Sequence, residues 1–168
     1  MTDTAGEIPP DTPARVRQLA TYWHGLGGGR APDRRLIDPG AIVPLLPFVL
    51  LVEFQDAPFR VRYRLTGTKV DEMTGMNITG HYLDEFAQGR YREIIENIQQ
   101  CYAACRETGR AAIETYHWPN DRDLVRLVWT GMFPLTLDGQ IRQCLSIEDY
   151  GPLGPLSEPI NWGAALKR

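Results

Sequence analysis

With 168 residues, the chain is long enough for one domain with a real core and too short for two comfortable ones. Hydrophobic residues at 43% and charged residues at 23% exclude disorder as the main state. A formal net charge of −3 argues against a general nucleic-acid partner, because neutralising phosphates needs a clustered excess of Lys and Arg.

Residues 1–12 are polar and rich in Pro, Thr and acid, with no apolar run of the secretory kind, and read as a flexible tail. One domain is expected over 13–150. It opens on a helix at 13–26, with Thr12 as N-cap, Pro13 at the first helical position and Val16, Leu19, Trp23 and Leu26 on one face. Gly27-Gly28-Gly29 ends that helix, and a short helical turn follows at Pro39–Leu45 behind Asp38. The longest apolar stretch, Ala41–Val52, has twelve residues and two prolines. A membrane span needs roughly 20 apolar residues, so no membrane partner is expected. Three cysteines at no disulfide-like spacing fit a reducing compartment, and the cytoplasm is the expected location.

Phe48–Phe54 is a short β-branched and aromatic run, and reads as a strand. After the turn Asp56-Ala57-Pro58, Phe59, Val61, Tyr63 and Leu65 alternate with Arg60, Arg62, Arg64 and Thr66, a period of two that completes a hairpin. Glycines then divide the chain into short helical pieces at Lys69–Thr74 and Leu83–Gln88. A longer amphipathic helix spans Arg90–Glu107, stopped by Gly109. Strands follow at Ala111–His117, Leu124–Phe133 and Gln140–Glu148, with turns at Pro119-Asn120-Asp121 and Leu137-Asp138-Gly139. Residues 151–168 carry three prolines and read as a tail. A hairpin and a three-strand meander bury their apolar faces by joining into one sheet under the helical middle. The expected class is α+β: a five-stranded antiparallel sheet with short helices and one longer helix across a face, plus the N-terminal helix.

The wording of the chain resembles the divergent, single-domain bacterial PAS family. The resemblance is carried by Trp23, Arg30-Ala31-Pro32, Asp38-Pro39, Leu45-Leu46-Pro47, Val52-Glu53, Phe59 to Leu65, Gly67-Thr68, Gly75, Thr79-Gly80, Pro134-Leu135 and Asp138-Gly139, in that order over residues 20 to 150. It implies a PAS-like fold and a sensory or regulatory role in signalling, often as a dimer. It supplies no ligand.

Several chemistries lack their residues. Residues 68–89 hold no cysteine for covalent flavin chemistry, and Arg90–Glu107 holds no histidine for haem. His81 and His117 read as structural. Cys101 and Cys105 share a helix face but have no further ligands at zinc spacing. The glycine run 25–29 closes a helix instead of opening one and lacks the Lys-Ser/Thr pair of a phosphate loop. Ser146 and Ser157 lie in no nucleophile-elbow sequence, and a pairing of His117 with Asp123 lacks a nucleophile. The chain is therefore read as no enzyme. A small cone-fold hydrolase or isomerase is the lower-weight alternative, and it calls for a carboxylate or histidine on the inner face, with His117 as candidate.

A ligand cavity is expected between sheet and helices, lined by Tyr63, Leu65, Ile113, Thr115, Leu127, Trp129 and Leu145 from the sheet, with Arg126 outward, and by Met73 and Ile98 from the helices. Val16, Leu19 and Trp23 are expected at a homodimer interface. Arg60, Arg62 and Arg64 read as a wet face with acidic neighbours, or as a docking row for an acidic regulatory partner. The functional expectation is a sensor acting in trans, in which a small molecule changes protein–protein contacts. A ligand-free interaction module is the alternative.

Overall fold

Five runs of alternating side chains become five strands: β1 (Val49–Gln55), β2 (Arg60–Thr66), β3 (Ala112–Pro119), β4 (Val125–Leu137) and β5 (Gln140–Gly154). The structure, a computed structural model, describes residues 8–120, 122 and 124–154. All pairings are antiparallel, and the order across the sheet is β2-β1-β5-β4-β3. The hairpin β1–β2 and the meander β3–β4–β5 meet through β1 and β5, so the last strand lies at the centre.

Helices cover the sheet on both sides. On one face lie α2 (Thr68–Thr74), a 3-10 turn at Leu83–Phe86 and α3 (Arg92–Thr108). α3 buries Ile94, Ile95, Tyr102 and Cys105 and ends where Gly109 takes the left-handed conformation. On the other face lie α1 (Ala14–Gly27) and a 3-10 segment at Pro39–Phe48. The Asp38 carboxylate caps that segment, accepting from Gly40 N at 2.8 Å. Where the segment crosses the end of β2, only a glycine fits. A Cβ on Gly67 would stand 2.3 Å from the carbonyl oxygens of Leu46 and Pro47.

The N-terminal helix corrects one expectation. Val16, Leu19 and Trp23 do not offer a stripe to a second copy; they are 0%, 0% and 3% exposed within the chain. They pack with Phe133, Leu135, Leu145 and Ile147 on the outer face of β4 and β5. Trp23 Nε1 donates to the carbonyl of Pro134 at 2.9 Å, and its ring lies 5.9 Å from that of Phe133. Gly131 lets the helix come close, since a Cβ there would meet the Phe133 ring at 2.7 Å and Val16 Cγ1 at 3.0 Å.

The boundaries differ too. Pro13 occupies the N-cap position without a side-chain bond, and the Thr12 hydroxyl is buried without a partner, so Thr12 is not the cap. Ile8 packs against the α1 cluster, which docks the end of the supposed tail. β5 runs on to Gly154, pairing with Val125, so 151–154 belong to the sheet. The remainder of that expected tail, including Ser157, lies outside the described residues, as do Asp121 and Asp123 in the β3–β4 turn.

Because its stripe is core, Leu19→Ala should lower the unfolding free energy by about 2–5 kcal/mol. Urea denaturation reads that loss. Dissociation of a dimer at unchanged unfolding free energy would return the stripe to an intermolecular role.

Candidate functional site

Side chains alternate across a strand, so the face opposite α1 carries a separate set of residues. Together with α2, α3 and the segment between them, this inner face encloses a cavity of about 620 Å³. The sheet contributes Leu50, Tyr63, Tyr116, Trp118, Arg126, Val128, Thr130, Glu148 and Tyr150. The helical side contributes Val70, Glu72, Met73, Ile78, Phe86, Tyr91, Ile95, Ile98 and Tyr102. Exposed Thr74, Gly75 and Met76 stand at the mouth beside Pro119 and Asn120 of the β3–β4 turn.

The lining is aromatic with a few polar groups. Tyr91 stacks on Trp118 at 4.8 Å, and Tyr116 meets the same indole edge-on at 6.2 Å. Tyr102 donates from its hydroxyl to Ser146 Oγ at 3.0 Å, tying α3 to β5. Two phenols converge on one carboxylate: Tyr116 donates to Glu148 Oε1 at 2.7 Å and Tyr150 to Oε2 at 2.5 Å. Desolvation raises the Glu148 carboxyl above the ordinary carboxylate range, against the two donors that pull it down. Burial and then the charge of Glu148 raise the hydroxyls of Tyr63, Tyr116 and Tyr150. At the outer end, Arg126 Nε is buried without a hydrogen-bond partner.

Of the residues expected in the cavity, Tyr63, Met73 and Ile98 line it. Ile113, Thr115, Leu127, Trp129 and Leu145 do not, because β3, β4 and β5 have the opposite parity from the one expected. Thr115 pairs with Trp129 and Ile113 with Gly131, while Tyr116 and Val128 point inward. Ile113, Trp129 and Leu145 belong instead to the α1 cluster. Leu65 is 50% exposed. An irregularity in the β1–β2 register pairs Val52 with Tyr63 but Leu51 with Leu65, leaving Arg64 unmatched and reversing the alternation. Arg126, expected outward, lines the cavity.

Reading every charge as solvent-facing hid Glu148, Arg126 and the two phenols. The signal for them was the spacing Ser146, Glu148, Tyr150, which shares one face of β5. The inner-face carboxylate required by the hydrolase or isomerase alternative is thus present as Glu148, whereas His117 is on the outer face beside Leu127. Its suggested partner Asp123 lies outside the described residues.

The remaining candidates have structural partners. His81 Nδ1 lies 2.8 Å from Glu85 Oε2 at the surface. Desolvation pushes the Cys101 thiol up to about 11 and Cys105 to about 12, and raises Cys144 well above its ordinary value, which keeps all three protonated and unreactive. Among the described residues, no three His, Cys, Asp or Glu side chains are grouped to hold a metal, and no helix is long and apolar enough to cross a membrane. In the basic row, Arg60 grips Asp84 through two bonds of 2.6 Å and lies over the Tyr82 ring. Arg62 Nε reaches the Gly80 carbonyl at 3.4 Å, and Arg64 pairs with Glu53 at 3.4 Å. The row does not present three free cations to a docking partner; it has the acidic neighbours of a wet face.

A carboxyl whose folded pKa is raised holds its proton longer in the folded state. Its contribution to stability is therefore greatest below the ordinary carboxylate range and falls as pH rises toward the folded value. Tyr63, Tyr116 and Tyr150 surround Glu148 from the strands and Tyr102 from α3, and none of these phenols ionises in that window. Glu148→Gln should match the wild type in urea near pH 4 and exceed it near about pH 8. A constant difference across that range would mean that Glu148 does not titrate differently on folding. Glu114, also raised by desolvation, leaves a residual slope in both proteins.

Residues 12–119, more than half of the chain, match the family described as PAS domain. No curated protein matches the chain. Among solved structures, it is similar to the PAS domain of histidine kinase ThkA, at 10% identity and a TM-score of 0.42, over 61% of this chain and 98% of that one. It is also similar to a light-oxygen-voltage domain studied with a flavin analogue, at 14% identity and 0.49, over 77% and 93%. A third is an RNA-binding light-oxygen-voltage receptor, at 12% and 0.46, over 72% and 36%. These TM-scores all lie below 0.5, so the assignment rests on the match of residues 12–119, joined by the element order seen in the fold. The chain belongs to the PAS domain family, a family of sensory and signalling modules.

Proposed function

We propose that this chain is a ligand sensor acting in trans, binding a small organic molecule in the cavity between the sheet and α2–α3 and altering its contacts with a regulatory protein partner. The observation that carries this reading is the cavity itself. About 620 Å³ lies within the range of small-molecule sites, and its apolar walls carry a few fixed polar groups of the kind that orient a ligand. A ligand there borders α2, α3 and all five strands, so its binding energy falls on the spacing between helices and sheet. Self-association, where the module uses it, involves a surface other than the α1 stripe, which is core.

Native mass spectrometry of the purified protein, set against its denatured mass, tests the reading. Extra non-covalent mass in the wild type, absent in Ile98→Trp, supports it, because the indole fills the space beside α3. That variant should stay folded, with a change in stability of no more than about 1–3 kcal/mol. No added mass, together with partner binding unaltered by Ile98→Trp, would replace the sensor with the ligand-free interaction module.

A further inference from the structure

The cavity wall holds a carboxylate whose charge is unbalanced. Each Glu148 oxygen lies within hydrogen-bond distance of a phenol, Tyr116 at 2.7 Å and Tyr150 at 2.5 Å, which fixes the carboxyl group in the wall. Among the described residues no Lys, Arg or His nitrogen pairs with it within 4.0 Å. Arg15, whose charge reaches Tyr150, is engaged with Asp149 and lies over the Phe48 ring. A desolvated carboxylate without a counter-charge is unfavourable, and a cation entering the cavity removes that penalty. The surroundings suit a cation as well. Tyr63, Phe86, Tyr102, Tyr116 and Tyr150 border the same space, and aromatic faces attract ammonium groups most strongly where water is excluded.

The opposite end of the cavity has the complementary need. Arg126 lines it with a buried, unbonded Nε. It stands four residues along β4 from Thr130, the residue that pairs with Glu148, a separation of roughly 13 Å at strand rise. Glu148 and Arg126 are thus at different ends, with Val128 between them, while the third charged lining residue, Glu72, is paired with Lys69 at 2.7 Å.

We propose that the cavity takes an organic cation, its ammonium group seated against Glu148, its aromatic or apolar body among the tyrosines, and an acceptor such as a carboxylate at its far end meeting Arg126. This rests on the sensory reading of the cavity and names the chemical class of its ligand.

Calorimetric titration and thermal shift of the full chain with four probes test the proposal. Phenethylamine, phenethyl alcohol and hydrocinnamate share one body and differ in charge; para-(aminoethyl)benzoate adds a carboxylate at the far end of the cation. Phenethylamine is expected to bind about tenfold or more tighter than the alcohol or the acid. Glu148→Gln, which removes charge without changing shape, should bring it down to the level of the alcohol. Arg126→Met should leave phenethylamine undiminished while abolishing the advantage of para-(aminoethyl)benzoate over it. Equal binding of the three single-charge-state probes, or phenethylamine binding that survives Glu148→Gln, overturns the cation site while leaving a cavity that accepts ligands. No binding of any probe, with no added mass in native spectra, overturns the cation site and the sensor reading together.

Discussion

The sheet is covered on both faces, and every other feature of the domain follows from how the two covers differ. On the outer face α1 lies close, admitted by Gly131 and held by the bond from Trp23 to the Pro134 carbonyl. That bond satisfies a polar group in a layer otherwise made of Val16, Leu19, Phe133, Leu135, Leu145 and Ile147. The proline is tolerated there because β3 ends its pairing at Met132, so no neighbouring strand on that side asks for its missing N–H. The outer face is therefore dry and close-packed.

The inner face is built the other way. Beside α3 the inner cover is made of short helical pieces, and the space left between this cover and the sheet is the cavity. The cavity can hold Glu148 and Arg126 because its walls also carry hydroxyls, and because the rigid outer layer fixes the strands from which they project. Desolvation and hydrogen bonding then oppose each other at Glu148, with desolvation prevailing. The rest of the module is arranged to keep these groups in place. Tyr102 ties α3 to Ser146, and Arg60 with its partner Asp84 pins the 3-10 turn at Leu83–Phe86 to β2.

The elements were legible from local signals. The period-two run of β2, the left-handed cap at Gly109 and the Asp38 cap each lie where residue chemistry alone places them. Part of the cavity was legible as well, since Tyr63, Met73 and Ile98 face it. The rest was not, for a physical reason. Alternation shows that a strand has two faces but does not name the one facing inward when both are covered. On β5, Leu145 and Ile147 look like the inner set beside Ser146, Glu148 and Tyr150, yet the greasier set packs under α1 and the polar set borders the cavity. The same inference turned Arg126 outward and carried Trp129 inward. α1 was misread by the same error, because a sheet thought to have one buried face leaves its helix with nothing to cover.

The central place of β5 bears on how the domain comes to exist. Val49 in β1 meets Ile147 in β5, so the pairing that unites hairpin and meander joins segments far apart in the chain. Such non-local contacts form late, after the entropy of closing a long loop has been overcome. While the chain is being made, β1 and β4 each expose an edge meant for β5, and open edges invite pairing with other chains. The site inherits this order of events. Glu148 arrives on the last strand, so no binding pocket exists until the sheet itself is complete.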